Sequence, residues 1–329
     1  MKKYYQNYDP RHLTEEMKNP YRKGIIKETS QKKIDKVSDR SIFSFNVLYC
    51  YFTIPFRPYG CHAVWSFIRS VLARFFIPMY LRKIHVIHTP IKHVDHELDE
   101  KVPFRPEYIK IYLDFVNYWI RPLAMLVKRF GTFKGSRLAA EFLRYIKLAY
   151  LEAFKVYSHT MTTTYQPECN LKAIKRLRRA DPHYMCVPSL HISIVCLTIS
   201  FYKMLFEREA FTAKEKEKWY SEIYNHGVKI AETVLYLKQH SVNCIPSALY
   251  MMSYIAPELF TPEDAVDFIN KLFENATDIS KQDRERIIVH IQFMYERLLL
   301  EGTQTNDWTE PVKRWLDNYK AFTPHYAKE

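Results

Sequence analysis

Two short stretches of the chain each place a histidine beside small polar or cationic residues at a predicted helix end. The first is residues 181–191 (DPHYMCVPSLH), and the second is residues 236–240 (YLKQH). The sequence between them has the pattern of helix, charged turn and helix, so a hairpin brings His191 and His240 face to face. Two imidazoles can transfer a phosphoryl group, one attacking phosphorus and the other protonating the leaving oxygen. Nearby cations and backbone amides can hold the phosphate oxygens.

The elements that must position these histidines are predicted to be helices. Apolar residues recur at three- and four-residue spacing in several segments. Other segments begin with a capping residue and an acidic first turn, which is typical of a helix start, as at Thr261-Pro262-Glu263-Asp264. Alternating strand patterns and hairpin turns are scarce, so we predict an all-α fold. The predicted helices are residues 108–127, 136–159, 191–206, 212–237, a segment from 261, 280–300 and 310–319.

Composition narrows the class of protein. The 329 residues are 47% hydrophobic and include six glycines, with no glycine-rich phosphate loop, so a nucleotide-binding α/β domain is not expected. The net charge of 49 − 36 = +13 favours an anionic partner: nucleic acid, a phosphorylated small molecule or an anionic membrane surface. The six cysteines form no C-x-x-C pair, and residues 1–13 contain no apolar core. We therefore expect free thiols, no secretory signal and a cytoplasmic location.

The chain divides into four predicted regions. Residues 1–40 resemble a basic arm, 98–256 contain the helical core, and 257–329 contain further helices. Residues 41–97 begin with a stretch, 41–90, that contains no Asp or Glu, five cations and a dozen aromatics. Such a composition suits an interfacial membrane helix, and equally a set of core aromatics with solvated arginines. We find no window of 18 mainly apolar residues and expect no ordinary transmembrane helix, so membrane contact would be peripheral.

The order of three motifs resembles the type 2 phosphatidic acid phosphatase superfamily, in its inositol-phosphorylceramide synthase branch. P-S-L-H ends at His191, K-Q-H ends at His240, and residues 98–108 (LDEKVPFRPEY) are similar to that branch's L-D-x-x-I-P-F-x-P segment. The motifs cover about residues 98–256. The resemblance implies a helical bundle like the phosphatase/haloperoxidase core, a phosphohistidine intermediate, and no metal or organic cofactor.

The resemblance also implies roles for individual residues. His240 corresponds to the nucleophile and His191 to the general acid, while Ser189 and Lys238 would contact phosphate. The family's Asp four residues after the nucleophile is replaced here by Cys244, preceded by Asn243, which leaves these two as candidates for orienting the imidazole. The family's Lys-x6-Arg-Pro phosphate clamp has no clear counterpart. A basic run in residues 172–179 could serve instead, with Arg179 as the candidate, although a solvated basic face is the alternative.

The sequence therefore predicts a phosphatase or phosphotransferase that acts on a phosphate ester, such as a lipid phosphate or a phosphoinositol-type headgroup. One alternative is a catalytically degenerate relative that binds phosphate or anionic lipid. A further alternative is a basic helical nucleic-acid-binding protein, which the even spread of the cations disfavours. A cluster of histidines and aspartates in residues 85–99 raises the question of a metal site, but its spacing fits no established ligand pattern. The sequence gives no indication of the oligomeric state.

Overall fold

The computed structural model describes residues 30–327, and helices dominate it. Helices account for 69% of the residues and strands for 2%, which confirms the predicted all-α class. Most of the predicted basic arm, residues 1–29, lies outside the described residues. The helices are α1 (Gln31–Asp35), α2 (Leu48–Tyr51), α3 (Pro58–Val71), α4 (Ile77–Lys83), α5 (Ile109–Leu113), α6 (Phe115–Tyr157), α7 (Lys172–Ala180), α8 (Leu190–Arg208), α9 (Ala213–Tyr236), α10 (Cys244–Ile255), α11 (Pro262–Lys271), α12 (Lys281–Gly302) and α13 (Thr309–Asn318).

The core lies between α6, α8 and α10. Helix α8 packs against α6, α9 and α10, and α10 also packs against α6 and α12. The side chains of Phe142, Phe201 and Tyr202 are buried and lie ring against ring between α6 and α8. Burying such aromatic surface supplies a large share of the folding free energy, because each ring removes much apolar area from water.

Helix α6 joins two segments that the sequence predicts as separate helices. The chain stays helical from Phe115 to Tyr157 except at Gly131, whose backbone has φ 82° and ψ 171°. Glycine adopts this left-handed φ without a steric penalty, and the helix changes direction there. The predicted break between residues 127 and 136 is therefore a kink at one residue rather than a loop.

The predicted helix starts near residues 212 and 261 are confirmed by capping boxes. The Thr212 hydroxyl accepts from the Glu215 amide and the Glu215 carboxylate accepts from the Thr212 amide, at the start of α9. Thr261 and Asp264 form the same reciprocal pair at the start of α11. Each pair satisfies amide groups that the first helical turn would otherwise leave without partners.

A two-stranded parallel sheet lies beside the helices. Strands β1 (Ile91–His93) and β2 (Met161–Thr163) pair in register, and Met185 forms a bridge to the middle residue of β2. The sheet is short, but it ties the segment before α5 and the segment before α8 to the end of α6. These two segments carry motif residues, so the sheet fixes their relative positions.

Among residues 30–327, two helical segments are long and apolar enough to cross a membrane by length and composition. They are Pro58–Lys83, with a mean hydropathy of 1.3, and Leu190–Arg208, with 1.4. The expectation that no window of 18 residues is mainly apolar was wrong for both segments. In Pro58–Lys83, α3, a π-helical turn and α4 follow one another without interruption. The expectation that no helix crosses a membrane stays a prediction. Leu190–Arg208 is a core helix, since 78% of its apolar window is buried inside the protein, whereas for Pro58–Lys83 the share is 11%.

Candidate functional site

The three motif segments meet at one place in the structure. The Arg105 amide of the first segment donates to the Tyr236 carbonyl of the third, at 3.0 Å. Asp99 of the first accepts at Oδ1 from the Val242 amide, 2.8 Å away and just beyond the third. The second and third segments meet at His191 and His240, so the hairpin predicted between these histidines has formed.

A pair of histidines lies at the centre of this convergence. His191 Nδ1 and His240 Nε2 are 3.2 Å apart, and the Ser189 hydroxyl also lies 3.2 Å from His240 Nε2. Ser189 and His240 are buried, and His191 is partly exposed. His240 Nε2 is thus in hydrogen-bond contact with the imidazole of His191, as the sequence predicts, and also with the Ser189 hydroxyl.

The loop before α8 sets the position of Ser189 and His191. The Tyr157 hydroxyl donates to the Pro188 carbonyl at 2.6 Å, which holds the loop against the end of α6. Ser189 is the N-cap of α8, its hydroxyl accepting from the Ile192 amide at 3.4 Å. The start of α8 therefore fixes the Ser189 hydroxyl that contacts His240, and Ser189 lies two residues before His191 in the chain.

His240 is positioned by the way α9 ends. Lys238 has a left-handed backbone with φ 55°, and the amides of Gln239 and His240 both donate to the Val234 carbonyl, at 2.9 and 3.1 Å. Thr164 fixes the turn from outside, because its hydroxyl donates to the Lys238 carbonyl at 2.9 Å. The left-handed conformation is sterically unfavourable for lysine but not for glycine, so other contacts must hold Lys238 there.

Those contacts turn the Lys238 side chain away from the histidines. The buried ammonium donates to the backbone carbonyls of Asp99 and Val102. Burial lowers the pKa of Lys238 to about 8, an effect that the Asp99 carboxylate opposes. Burial also raises the pKa of Asp99 to about 6. The ammonium joins the first motif segment to the third, and this arrangement gives no support to its predicted contact with phosphate.

The two residues proposed to orient His240 have other partners. The Asn243 amide nitrogen donates to the Val94 carbonyl and the Tyr319 hydroxyl, and its oxygen lies 2.9 Å from His290 Nε2. The buried Cys244 thiol accepts from the Ser241 amide at 3.4 Å. Within residues 30–327, His240 Nδ1 is buried without a hydrogen-bond partner of good geometry. None of these described residues therefore places a carboxylate where it would stabilise a charged His240.

Burial determines the charge state of the pair. It lowers the pKa of His191 to about 4, with the Asp181 carboxylate opposing and His183 adding to the shift. It also holds the pKa of His240 well below its usual range, where His191 and His183 act in the same direction and the backbone of Cys186 opposes. Both imidazoles are therefore neutral at pH 7, and each has one nitrogen with an available lone pair.

A third histidine next to the pair was not singled out from the sequence, although it lies inside the second motif segment. The ring centroids of His183 and His240 are 6.4 Å apart, and burial lowers the pKa of His183 to about 4. His183 Nε2 lies 2.8 Å from the Thr164 hydroxyl and 3.5 Å from the Cys186 sulfur. The sequence signal for His183 was its position two residues after Asp181. In the structure the His183 amide donates to the Asp181 carboxylate.

Arg179 lies at the exposed end of α7, and its predicted contact with phosphate stays a prediction. Its neighbour Arg178 donates to the Pro167 carbonyl at 2.8 Å and is one of the charges that lower the pKa of His183. The basic run therefore approaches the histidines through Arg178 rather than Arg179.

The structure offers no cluster for the metal alternative. Within residues 30–327, no group of three or more His, Cys, Asp or Glu side chains is placed to hold a metal ion. His93 and His96 of the 85–99 segment stack on Tyr165 and His290, with ring centroids 3.8 and 4.0 Å apart.

Comparison with protein-family models, curated proteins and solved structures finds no match for this chain. The fold and the site define an all-α protein in which partly exposed His191, at the start of a core helix, contacts buried His240.

Proposed function

We propose that the protein is a phosphatase or phosphotransferase of the phosphatidic acid phosphatase type, acting on a phosphate ester through a phosphohistidine. The observation that carries the proposal is the contact of His240 Nε2 with both His191 Nδ1 and Ser189 Oγ, each at 3.2 Å. The second and third motif segments, far apart in the chain, meet to make this contact. The first segment supports the third through the hydrogen bond from the Arg105 amide to the Tyr236 carbonyl, and the pair is partly open through His191.

The reaction divides into two balanced steps. His240 Nε2 attacks phosphorus, the new P–N bond forms and the ester P–O bond breaks, while His191 gives a proton to the leaving oxygen. Water then attacks the phosphohistidine and passes a proton to His191, which restores both histidines and releases phosphate. A second alcohol in place of water gives a phosphotransferase.

Two physical requirements follow from the geometry. A phosphoryl group must take the place of the direct His191–His240 hydrogen bond, since atoms 3.2 Å apart leave no room for it. His191 must also gain a proton before it acts as an acid. A bound phosphate dianion favours this step, because an adjacent negative charge raises the pKa of an imidazole.

Release of phosphate from a short-chain phosphatidic acid and from p-nitrophenyl phosphate tests the proposal. Replacing His240 by Gln should abolish turnover, and His191→Gln should lower it by about two to four orders of magnitude. His159→Gln is the control, since His159 is an exposed histidine whose ring contacts Asp317. Circular dichroism confirms that each variant is folded. Equal turnover in His240→Gln and in the control would refute the proposal.

A second candidate function is phosphate or anionic-lipid binding without turnover. The absence of a carboxylate partner for His240 Nδ1 within the described residues favours it, because such a partner stabilises the imidazolium in this kind of chemistry. This candidate predicts phosphate binding by wild type, measured by calorimetry, together with no phosphate release. Measurable turnover that depends on His240 would exclude it.

A further inference from the structure

Many large apolar side chains are exposed in one segment of the chain, residues 43–86. Together they are called here the apolar surface. Phe52, Phe56 and Trp65 are 74%, 73% and 62% exposed, and Tyr59, Leu72 and Ile77 are about half exposed. A continuous apolar area of this kind in a folded protein marks an interaction surface.

Helices α3 and α4 present this surface because their opposite side is already occupied. Phe67 and Phe75 pack edge to face against Trp119 and Tyr150 of α6, with ring centroids about 6 Å apart. Trp65, Leu72 and Phe76, spaced by seven and four residues, lie on the exposed side. The helices are therefore attached to the bundle by one stripe of aromatics and leave a second stripe exposed.

The charged side chains of the segment that carries the apolar surface are positive. Residues 41–90 contain no Asp or Glu and five cations. Two cations of α6 lie against its aromatic side chains, Lys128 over the Tyr49 ring at 4.3 Å and Arg137 over the Tyr59 ring at 5.0 Å. A second copy of the chain would bring the same positive charge to the interface, whereas an anionic bilayer supplies both apolar depth and opposite charge.

The orientation in the bilayer follows from α6. Helix α6 packs against α3 and the π-helical turn that follows it, and beyond its kink it carries Arg144 and Lys147. Arg69 of α3 is close enough to help burial lower the pKa of Lys147. If Pro58–Lys83 crossed the membrane, these cations would enter the hydrocarbon at high cost. Lying in the plane of the interface, the helices bury their aromatics at headgroup depth and leave α6 above it.

We propose that the apolar surface docks the protein on anionic membranes, with α3 and α4 lying in the plane of the interface.

The end of the surface leads to the histidine pair. The Tyr80 hydroxyl donates to the Ala180 carbonyl, and the Lys83 ammonium donates to the Arg179 carbonyl. Both carbonyls come directly before the segment 181–191, whose last residue is His191. Exposed Leu113 also adjoins Tyr112, whose ring packs against His191. If the proposed function holds, docking presents His191 to lipid headgroups, which makes the substrate a lipid phosphate. The docking itself does not rest on the proposed function.

Co-sedimentation of the full chain with vesicles tests the docking. The vesicles contain phosphatidylcholine alone or with about one-third phosphatidylserine. Wild type should bind the anionic vesicles more tightly, and added salt should weaken that binding. The double variant Phe52→Ser/Phe56→Ser should lose at least about tenfold in vesicle affinity, because two exposed rings no longer enter the interface.

A matched control is available on a helix of mixed charge. Val289 and Phe293 of α12 are also about 60% exposed, but α12 carries acidic as well as basic residues. Val289→Ser/Phe293→Ser should bind vesicles as wild type does. The variant His240→Gln should also bind normally, so a failure of catalysis and a failure of docking remain distinguishable.

Three results would overturn the docking proposal. One is equal vesicle binding by Phe52→Ser/Phe56→Ser and wild type. Another is an equal loss in the α12 control. The third is a dimer, seen by sedimentation without lipid, that the Phe52→Ser/Phe56→Ser change dissociates while vesicle binding is unaffected.

Discussion

The neutral state of the histidines makes stability depend on pH in a way that one variant isolates. His191 has a pKa of about 4 in the folded protein, against 6.5 for an unperturbed histidine. Between these values the unfolded chain binds more protons than the folded one, so stability rises with pH. The contribution of His191 is fully present above pH 6.5 and is lost as the pH falls towards 4.

The size of the effect follows from the two pKa values. At pH 5 the unfolded histidine is largely protonated and the folded one largely neutral, which costs about 2 kcal/mol relative to pH 7. The variant His191→Gln keeps a polar side chain but cannot titrate. The loss of unfolding free energy between pH 7 and pH 5 should therefore be about 2 kcal/mol smaller in this variant than in wild type.

Urea unfolding followed by circular dichroism at the two pH values measures this difference. An NMR titration of the His191 ring protons gives an independent value, and the resonance should show a neutral imidazole down to pH 5. If the variant and wild type lose the same free energy on acidification, His191 is not held neutral by burial and the assignment of charge states is wrong.

Three further predictions concern urea unfolding at pH 7. Lys238→Met should destabilise the protein by about 2–4 kcal/mol, because the buried carbonyls of Asp99 and Val102 lose their donor. Unchanged stability together with weakened phosphate binding would instead make Lys238 a phosphate ligand. Glu215→Ala should cost about 3–5 kcal/mol, since it leaves the Arg129 guanidinium buried without its carboxylate 2.9 Å away, and a change below about 1 kcal/mol would contradict this. Gly227→Ala should cost about 1–3 kcal/mol, because its Cβ would lie 2.6 Å from the Tyr118 hydroxyl; a stabilised variant would show that the helices separate freely there.

Much of the helical architecture was predictable because its signals are local. The caps at Thr212 and Thr261 and the apolar spacing of α8 and α12 involve residues within one or two turns. The continuity of α6 through Gly131 was not predictable in this way. A glycine with positive φ usually ends a helix, and here packing on both sides allows the helix to resume.

The site was predictable in its central residues and not in their supporting contacts. Ser189, His191 and His240 lie together as the motifs indicate. The side chains of Lys238 and Asn243 turn to partners at least 47 residues away along the chain, which no local pattern encodes. Domain boundaries at residues 97 and 256 stay predictions, since nothing in the structure tests them.

The proposed function requires that His240 becomes phosphorylated during turnover. This is tested by brief reaction with short-chain phosphatidic acid carrying a radiolabelled phosphate, followed by alkaline quenching and peptide mapping. We expect an acid-labile, alkali-stable label on the peptide that contains His240, absent from His240→Gln and present in His159→Gln. Turnover without any label on wild type, or a label that persists in His240→Gln, would refute the phosphohistidine.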